Sequence, residues 1–475
     1  MRTRIIPRLD VKGPNIVKGI CLEGMRVVGK PSSLSKKYYE EGADEILYMD
    51  IVASLYERNN LINIVKEATK SGIFIPMTVG GGIRTPKDIK TLLRAGADKV
   101  AINTAATKNP TFISKAAQTF GSQCIVGSIE AKCRGNNKWE AYIDNGRERT
   151  GLDVIEWAQR LVELGVGELL ITSVDRDGTQ KGYDIPLIKS LTDKITTVPI
   201  IACGGAGKPT DVYECINESQ CDAISLGSLL HYNTHSLNSI KKELENKVLT
   251  TPHSPVPPLS PQKYAKTISI IDYDVGNIKS VEDAFRFLGC STRLIDNPQE
   301  VLDSEILILP GDGAFGYAIN ELRKKKLIEP LKKYATSGKP LMGICVGMQL
   351  LLSDSDEFGS HKGLDFIQGT VTSLKHEPHI KIPHMGWNQL IRQRTKDSLM
   401  ADISHSSSAY FIHSFRASLK NPEESLAHTT HGTQEFSSII KKDNIVGFQF
   451  HPEKSARTGL QLLKNFCNTF AGGTK

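Results

Sequence analysis

The turn Gly343-Ile344-Cys345-Val346-Gly347 lies between two apolar runs, Pro340-Leu341-Met342 and Leu350-Leu351-Leu352. Strand, sharp turn and helix in that order make a nucleophile elbow. Its glycines let two chain segments pass close while the cysteine side chain is thrust outward. The start of a helix also favours an anion, which suits a thiolate. A structural cysteine at a strand end has the same local pattern, so the reading needs a base and an orienting acid from elsewhere. Gln449-Phe450-His451-Pro452-Glu453-Lys454 supplies both. His451 and Glu453 are two apart at a strand end and so point to one face.

The first half of the chain offers different chemistry. Asp10, in Leu9-Asp10-Val11-Lys12, and Glu130, in Ile129-Glu130-Ala131-Lys132, each end an apolar run. They belong to an internal repeat, in which Gly81-Gly82 matches Gly204-Gly205, and Gly42 and Glu45 match Gly165 and Glu168, at a near-constant offset. Two repeat-related carboxyls facing one another suit general acid and base roles on one substrate. The plainer alternative pairs each with its neighbour, Lys12 or Lys132. Gly81, Gly82, Asn103, Thr104, Asp177, Gly178, Gly204, Gly205, Gly227 and Ser228 follow or end apolar runs. Glycine loops there expose N–H groups that bind phosphate, and two repeat-related loops predict a phosphate at each end of the substrate.

The elements that must position these groups are legible as punctuation. Residues 1–247 hold eight short apolar runs separated by helix-length segments, which predicts a (β/α)8 barrel with its site at the strands' C-terminal ends. Residues 248–266 are rich in proline and read as an extended linker. Residues 267–475 again alternate apolar runs and helical segments, predicting an open α/β sheet.

Bulk properties exclude other classes. The 475 residues are too many for one core, and 39% hydrophobic with 23% charged residues is ordinary for a globular protein. The net charge of +7 is spread along the chain, and the run Arg323-Lys324-Lys325-Lys326 reads as a solvated helix face, so no nucleic-acid partner is expected. Nine cysteines without a C-x-x-C pair argue against a disulfide framework or a zinc ribbon, and for a reducing compartment. No apolar run approaches membrane-spanning length. A cytoplasmic enzyme with no membrane partner, metal or organic cofactor is expected.

Asp10-Val11-Lys12, Thr78-Val79-Gly80-Gly81-Gly82-Ile83-Arg84, Ala101-Ile102-Asn103-Thr104-Ala105-Ala106 and Asp175-Arg176-Asp177-Gly178-Thr179 resemble the cyclase subunit of imidazole glycerol phosphate synthase. The resemblance runs over nearly all of residues 1–240. It implies a catalytic carboxylate pair at Asp10 and Glu130, with Lys18 and Asp177 in the site. It also implies a charged gate of Arg4, Glu45, Lys99 and Glu168 at the opposite barrel end, four residues that composition alone would place on the surface. Glu130 stands where the family has an aspartate.

The second half, through its elbow and His-Pro-Glu, resembles class I glutamine amidotransferases. Asp272-Tyr273-Asp274-Val275-Gly276-Asn277 and Pro383-His384-Met385-Gly386-Trp387-Asn388 narrow this to the same synthase's glutaminase subunit. The resemblance implies a catalytic triad of Cys345, His451 and Glu453, and an oxyanion hole from backbone N–H groups near Asp312 or Gly313 and of Val346. It implies Gln349 as a glutamine contact, and Asp98 and Lys454 as an interface pair. Asp312 replaces a usually apolar residue. Known single-chain versions place the glutaminase first; here the order is reversed, and the linker is expected to allow docking within one chain.

The expected function is glutamine hydrolysis, with ammonia passed through the barrel to a bisphosphorylated ribulosyl aminoimidazole substrate in histidine biosynthesis. A second expectation keeps the glutaminase but changes the acceptor, for instance to a nucleotide-linked sugar. A third, a non-catalytic scaffold, is opposed by the intact Cys345, His451 and Glu453.

Overall fold

The computed structural model describes residues 2–53, 61–245, 262–393 and 396–472. It divides into two compact units, one of Met1–Gln118, Ser122–Pro255 and His376–Gly386, the other of Thr119–Gly121, Val256–Lys375 and Trp387–Lys475. Of the expected linker, residues 248–261 lie outside the described residues.

In the first unit eight parallel strands close on themselves. They are β1 (Arg4–Lys12), β2 (Ile46–Asp50), β3 (Met77–Gly80), β4 (Lys99–Ile102), β5 (Ile125–Cys133), β6 (Glu168–Ser173), β7 (Ile200–Cys203) and β8 (Ala223–Leu226). The β5–β6 and β8–β1 pairings complete the cylinder, as the eight apolar runs predict. Two hairpins extend it: Asn15–Ile20 with Glu23–Gly29 after β1, and Trp139–Ile143 with Glu148–Asp153 after β5.

Because strand side chains alternate, residues of one parity line the interior in layers. Arg4, Glu45, Lys99 and Glu168 start their strands or directly precede them, and all are almost fully buried. Above them lies an apolar layer including Ile6, Leu47, Ala101, Val126, Leu170 and Ala223. Arg8, Asp10 and Glu130 come next, towards the strands' C-terminal ends.

The second unit is built on an eight-stranded mixed sheet. Its parallel part orders β10 (Thr292–Ile295), β9 (Ile268–Ile271), β11 (Ile306–Leu309), β12 (Leu341–Ile344) and β13 (Ile445–Phe448). The strands Gln434–Lys442 and Ser425–His431 then continue it antiparallel. Strand–helix alternation thus holds in the first part of this unit, whereas residues 354–448 are mostly strands. Among the described residues no helix is long and apolar enough to cross a membrane.

Candidate active site

The elbow forms as its glycines predict. Gly343 and Ile344 end β12, and a short helix, Val346–Leu350, begins directly after Cys345. Cys345 has φ 52° and ψ −111°, a strained conformation for a residue with a side chain, of the kind that clusters at functional sites. A Cβ on Gly347 would lie 1.9 Å from the Leu309 carbonyl oxygen, so only glycine lets the elbow pass under β11.

His451 follows β13 and is almost fully buried, with Nδ1 2.8 Å from Glu453 Oε1. Burial alone would push its pKa down. Glu453, Cys345 and Asp312 together more than reverse this, and the ring holds its proton well above the ordinary histidine range. The nucleophile, base and acid expected from sequence are thus gathered in one place.

The oxyanion loop differs from expectation. The Val346 N–H donates to the Gly311 carbonyl at 3.3 Å, so in this structure that donor is taken up by the loop after β11 rather than open to an oxyanion. Gly313 takes φ 92°. Asp312 presents its carboxylate to the triad, with Oδ1 3.3 Å from His451 Nε2. Gln349 is buried and donates its amide to the Phe415 carbonyl at 3.0 Å and to Gln449 at 3.3 Å. Lys454 is buried beside Glu453, and Asp98 accepts from the Met77 N–H at 2.8 Å.

At the barrel mouth neither carboxyl pairs with its sequence neighbour. Asp10 takes Arg8 Nε at 2.7 Å and Lys18 Nζ at 3.1 Å, and Lys18 also reaches both Asp177 oxygens at 2.8 Å. Burial would raise the Asp10 pKa, but Arg8 and Lys18 outweigh it and hold it at about 2. Among the described residues no cation is hydrogen-bonded to Glu130, and Arg8 acts on it only through its charge. Burial raises it to about 7, with the Gly146 N–H at 2.7 Å opposing and the Asp10 charge adding to the rise. The two carboxyls are therefore driven apart, Asp10 fully ionised at neutrality and Glu130 raised to about 7.

The glycine loops sort into two clefts. One is lined by Lys18, Asp177, Gly178, Gly204, Gly205, Gly227 and Ser228. The other is lined by Gly81, Gly82, Asn103 and Thr104, with Asp50, Lys108 and Glu130. The buried Ser228 hydroxyl makes no hydrogen bond in the first. Asn103 donates to the Tyr142 carbonyl at 3.1 Å, and Thr104 to Asp144 at 3.2 Å.

At the other end of the strands, Arg4, Glu45, Lys99 and Glu168 form a closed ring of ion pairs. Arg4 reaches Glu45 at 2.9 Å and also Glu168; Lys99 reaches Glu45 at 2.8 Å and Glu168 at 2.5 Å. Composition alone would have put these charges in solvent; strand parity puts them in the core.

Sequence reasoning missed Arg8 and Asp50. Arg8 was hidden as a basic residue in an apolar run, although its even spacing from Arg4, Ile6 and Asp10 marks it as inward-facing. Asp50 ends β2, and its Oδ2 is buried without a hydrogen bond in the Glu130 cleft. Burial pushes its pKa up.

Comparison with known proteins agrees with both halves. Residues 4–236 match the family model "Histidine biosynthesis protein", and residues 269–470 match "Glutamine amidotransferase class-I". A Legionella pneumophila protein, "Imidazole glycerol phosphate synthase subunit HisF", is 58% identical over 205 residues, covering 43% of this chain and 96% of that protein. The chain belongs to the imidazole glycerol phosphate synthase family. A family member of the same name from Dehalococcoides mccartyi is 44% identical over 249 residues, 52% of this chain and 97% of its own length. This imidazole glycerol phosphate synthase relative is an enzyme of histidine biosynthesis whose cyclase-type barrel and glutamine amidotransferase domain share one polypeptide.

Proposed function

We propose that the chain converts a bisphosphorylated ribulosyl aminoimidazole ribotide and glutamine into imidazole glycerol phosphate and an aminoimidazole carboxamide ribotide. Cys345 attacks the glutamine carboxamide carbon, His451 delivers a proton to the departing ammonia, and Glu453 orients His451. Water then cleaves the thioester to glutamate. Ammonia enters the barrel past the Arg4, Glu45, Lys99 and Glu168 ring and attacks the ribulosyl carbonyl. Glu130, close to half-protonated at neutral pH, moves protons during cyclisation and cleavage, while Asp10 stays anionic and stabilises positive charge. Asp98 and Lys454 form an interface pair in this scheme, and the reaction runs in the cytoplasm.

The observation that carries the reading is the pair of glycine-lined clefts beside two carboxyls whose environments drive their proton affinities apart. The repeat relation between the two sets of glycine loops supports a substrate with a phosphate at each end. Incubation of the chain with that substrate and glutamine labelled with 15N in the amide tests it. Mass spectrometry should find one label in the imidazole product and none in the carboxamide ribotide. No imidazole product from an active glutaminase would favour the nucleotide-linked sugar, a reading that the longer Glu130 supports.

A further inference from the structure

Asp312 is anchored rather than loose. Its Oδ2 accepts the Asn277 N–H at 2.6 Å, and the Asn277 side chain in turn caps the helix Ile278–Phe287 by accepting from Ser280 N–H at 3.1 Å. This holds Oδ1 3.3 Å from His451 Nε2, close enough for an ion pair though without the alignment of a hydrogen bond. His451 therefore has a carboxylate at each ring nitrogen, Glu453 at Nδ1 and Asp312 at Nε2.

The two carboxylates differ in consequence. Glu453 orients the ring, as an orienting acid must. Asp312 stands beside the nitrogen that has to exchange a proton with the departing ammonia and with Cys345, which also acts on the His451 ring. Around the ring stand Glu453 and Lys454 on its own turn, Asp312 on the loop after β11, and Cys345 on the elbow. Buried His413 stands on Ser408–His413, and burial keeps it neutral. The same strand brings the Tyr410 carbonyl to the His451 N–H at 3.2 Å, and the Tyr273 hydroxyl donates to the Pro310 carbonyl of the oxyanion loop.

We propose that Asp312 is a positioning residue that competes with Cys345 for the Nε2 side of His451, keeping the glutaminase in a proton-loaded resting state. This rests on the glutaminase reading above. An anion at this place stabilises the imidazolium and disfavours a neighbouring thiolate, so the Cys345–His451 pair sheds its inhibitory proton only at higher pH. No other group need be consumed: the proton remains on His451 until thiol and ring together lose one to solvent.

Asp312→Asn keeps the shape and the acceptor for Asn277 but removes the charge. The test measures ammonia release from glutamine by the whole chain between pH 6 and pH 10, and alkylation of the Cys345 peptide by iodoacetamide over the same range. The acid limb of both profiles should move down by about one pH unit in D312N, with a roughly tenfold faster reaction near neutrality. D312S should behave alike, and D312E should return the limb towards the parent. Profiles of D312N and D312S that superimpose on the parent in both assays would overturn the proposal. Failure of the underlying reading looks different: a Cys345→Ala chain would then release ammonia as fast as the parent.

Discussion

Arg8 and Asp10 point into the barrel from the same strand, and Arg8 Nε donates to Asp10 Oδ1 at 2.7 Å. Arg8 also donates to Thr172 at 2.9 Å, so it ties β1 to β6 across the interior. With Lys18, the ion pair holds Asp10 as a charged group, so in the proposed reaction proton traffic at the barrel mouth falls to Glu130.

Replacing Arg8 by Met should therefore both destabilise the barrel and change Asp10. Removing one partner of a buried pair costs about 3–5 kcal/mol, read as a lower urea midpoint. The sign of the pH effect follows from the depressed pKa. Asp10 contributes stability fully above the ordinary value of 3.8, and loses it as pH falls towards about 2. Acid unfolding of the parent should include this loss, and R8M should show less of it, because Lys18 still pairs with Asp10.

Glu130→Gln should lower cyclase turnover with ammonium salts as nitrogen source by roughly 100-fold or more, the usual contribution of a general acid or base. The parent's pH–rate profile should show a break near 7, and E130Q should not. A break at the same pH in E130Q would assign it to another group.

Cys345→Ala should abolish glutamine-dependent turnover while retaining turnover with added ammonia, because its sulfur is needed only to liberate the nitrogen. Product formation with glutamine and with ammonium chloride, compared side by side, measures the split.

Glu45→Leu should cost about 3–5 kcal/mol, since Arg4 and Lys99 would each lose a buried partner. Thermal melting of the chain reads this. An unchanged melting temperature would mean that Glu168 alone satisfies both cations.

Much of this was legible in the sequence, for reasons that differ by element. The barrel strands were visible because each is an apolar run between turn residues. Cys345, His451 and Glu453 were visible because an elbow and a strand-end His-x-Glu impose their own local geometry. The two glycine-lined clefts followed from glycine positions related by the repeat. The burial of Arg4, Glu45, Lys99 and Glu168 is a tertiary fact that composition contradicts, and only family resemblance anticipated their grouping. Arg8 and the engagement of the Val346 N–H with Gly311 escaped because both depend on which long-range partner wins a contact. Asp312 was visible as an oddity, but its aim at His451 was not.

The layering of the barrel interior has an electrical consequence. Arg4 and Arg8 are four residues apart along β1, about 13 Å at strand rise, and the hydrocarbon belt of Ile6, Leu47, Val126 and Leu170 lies between their levels. Such a belt is an insulator. It gives hydronium and ammonium no counter-charge at its level, a desolvation penalty that an uncharged solute does not incur, so the interior discriminates by charge.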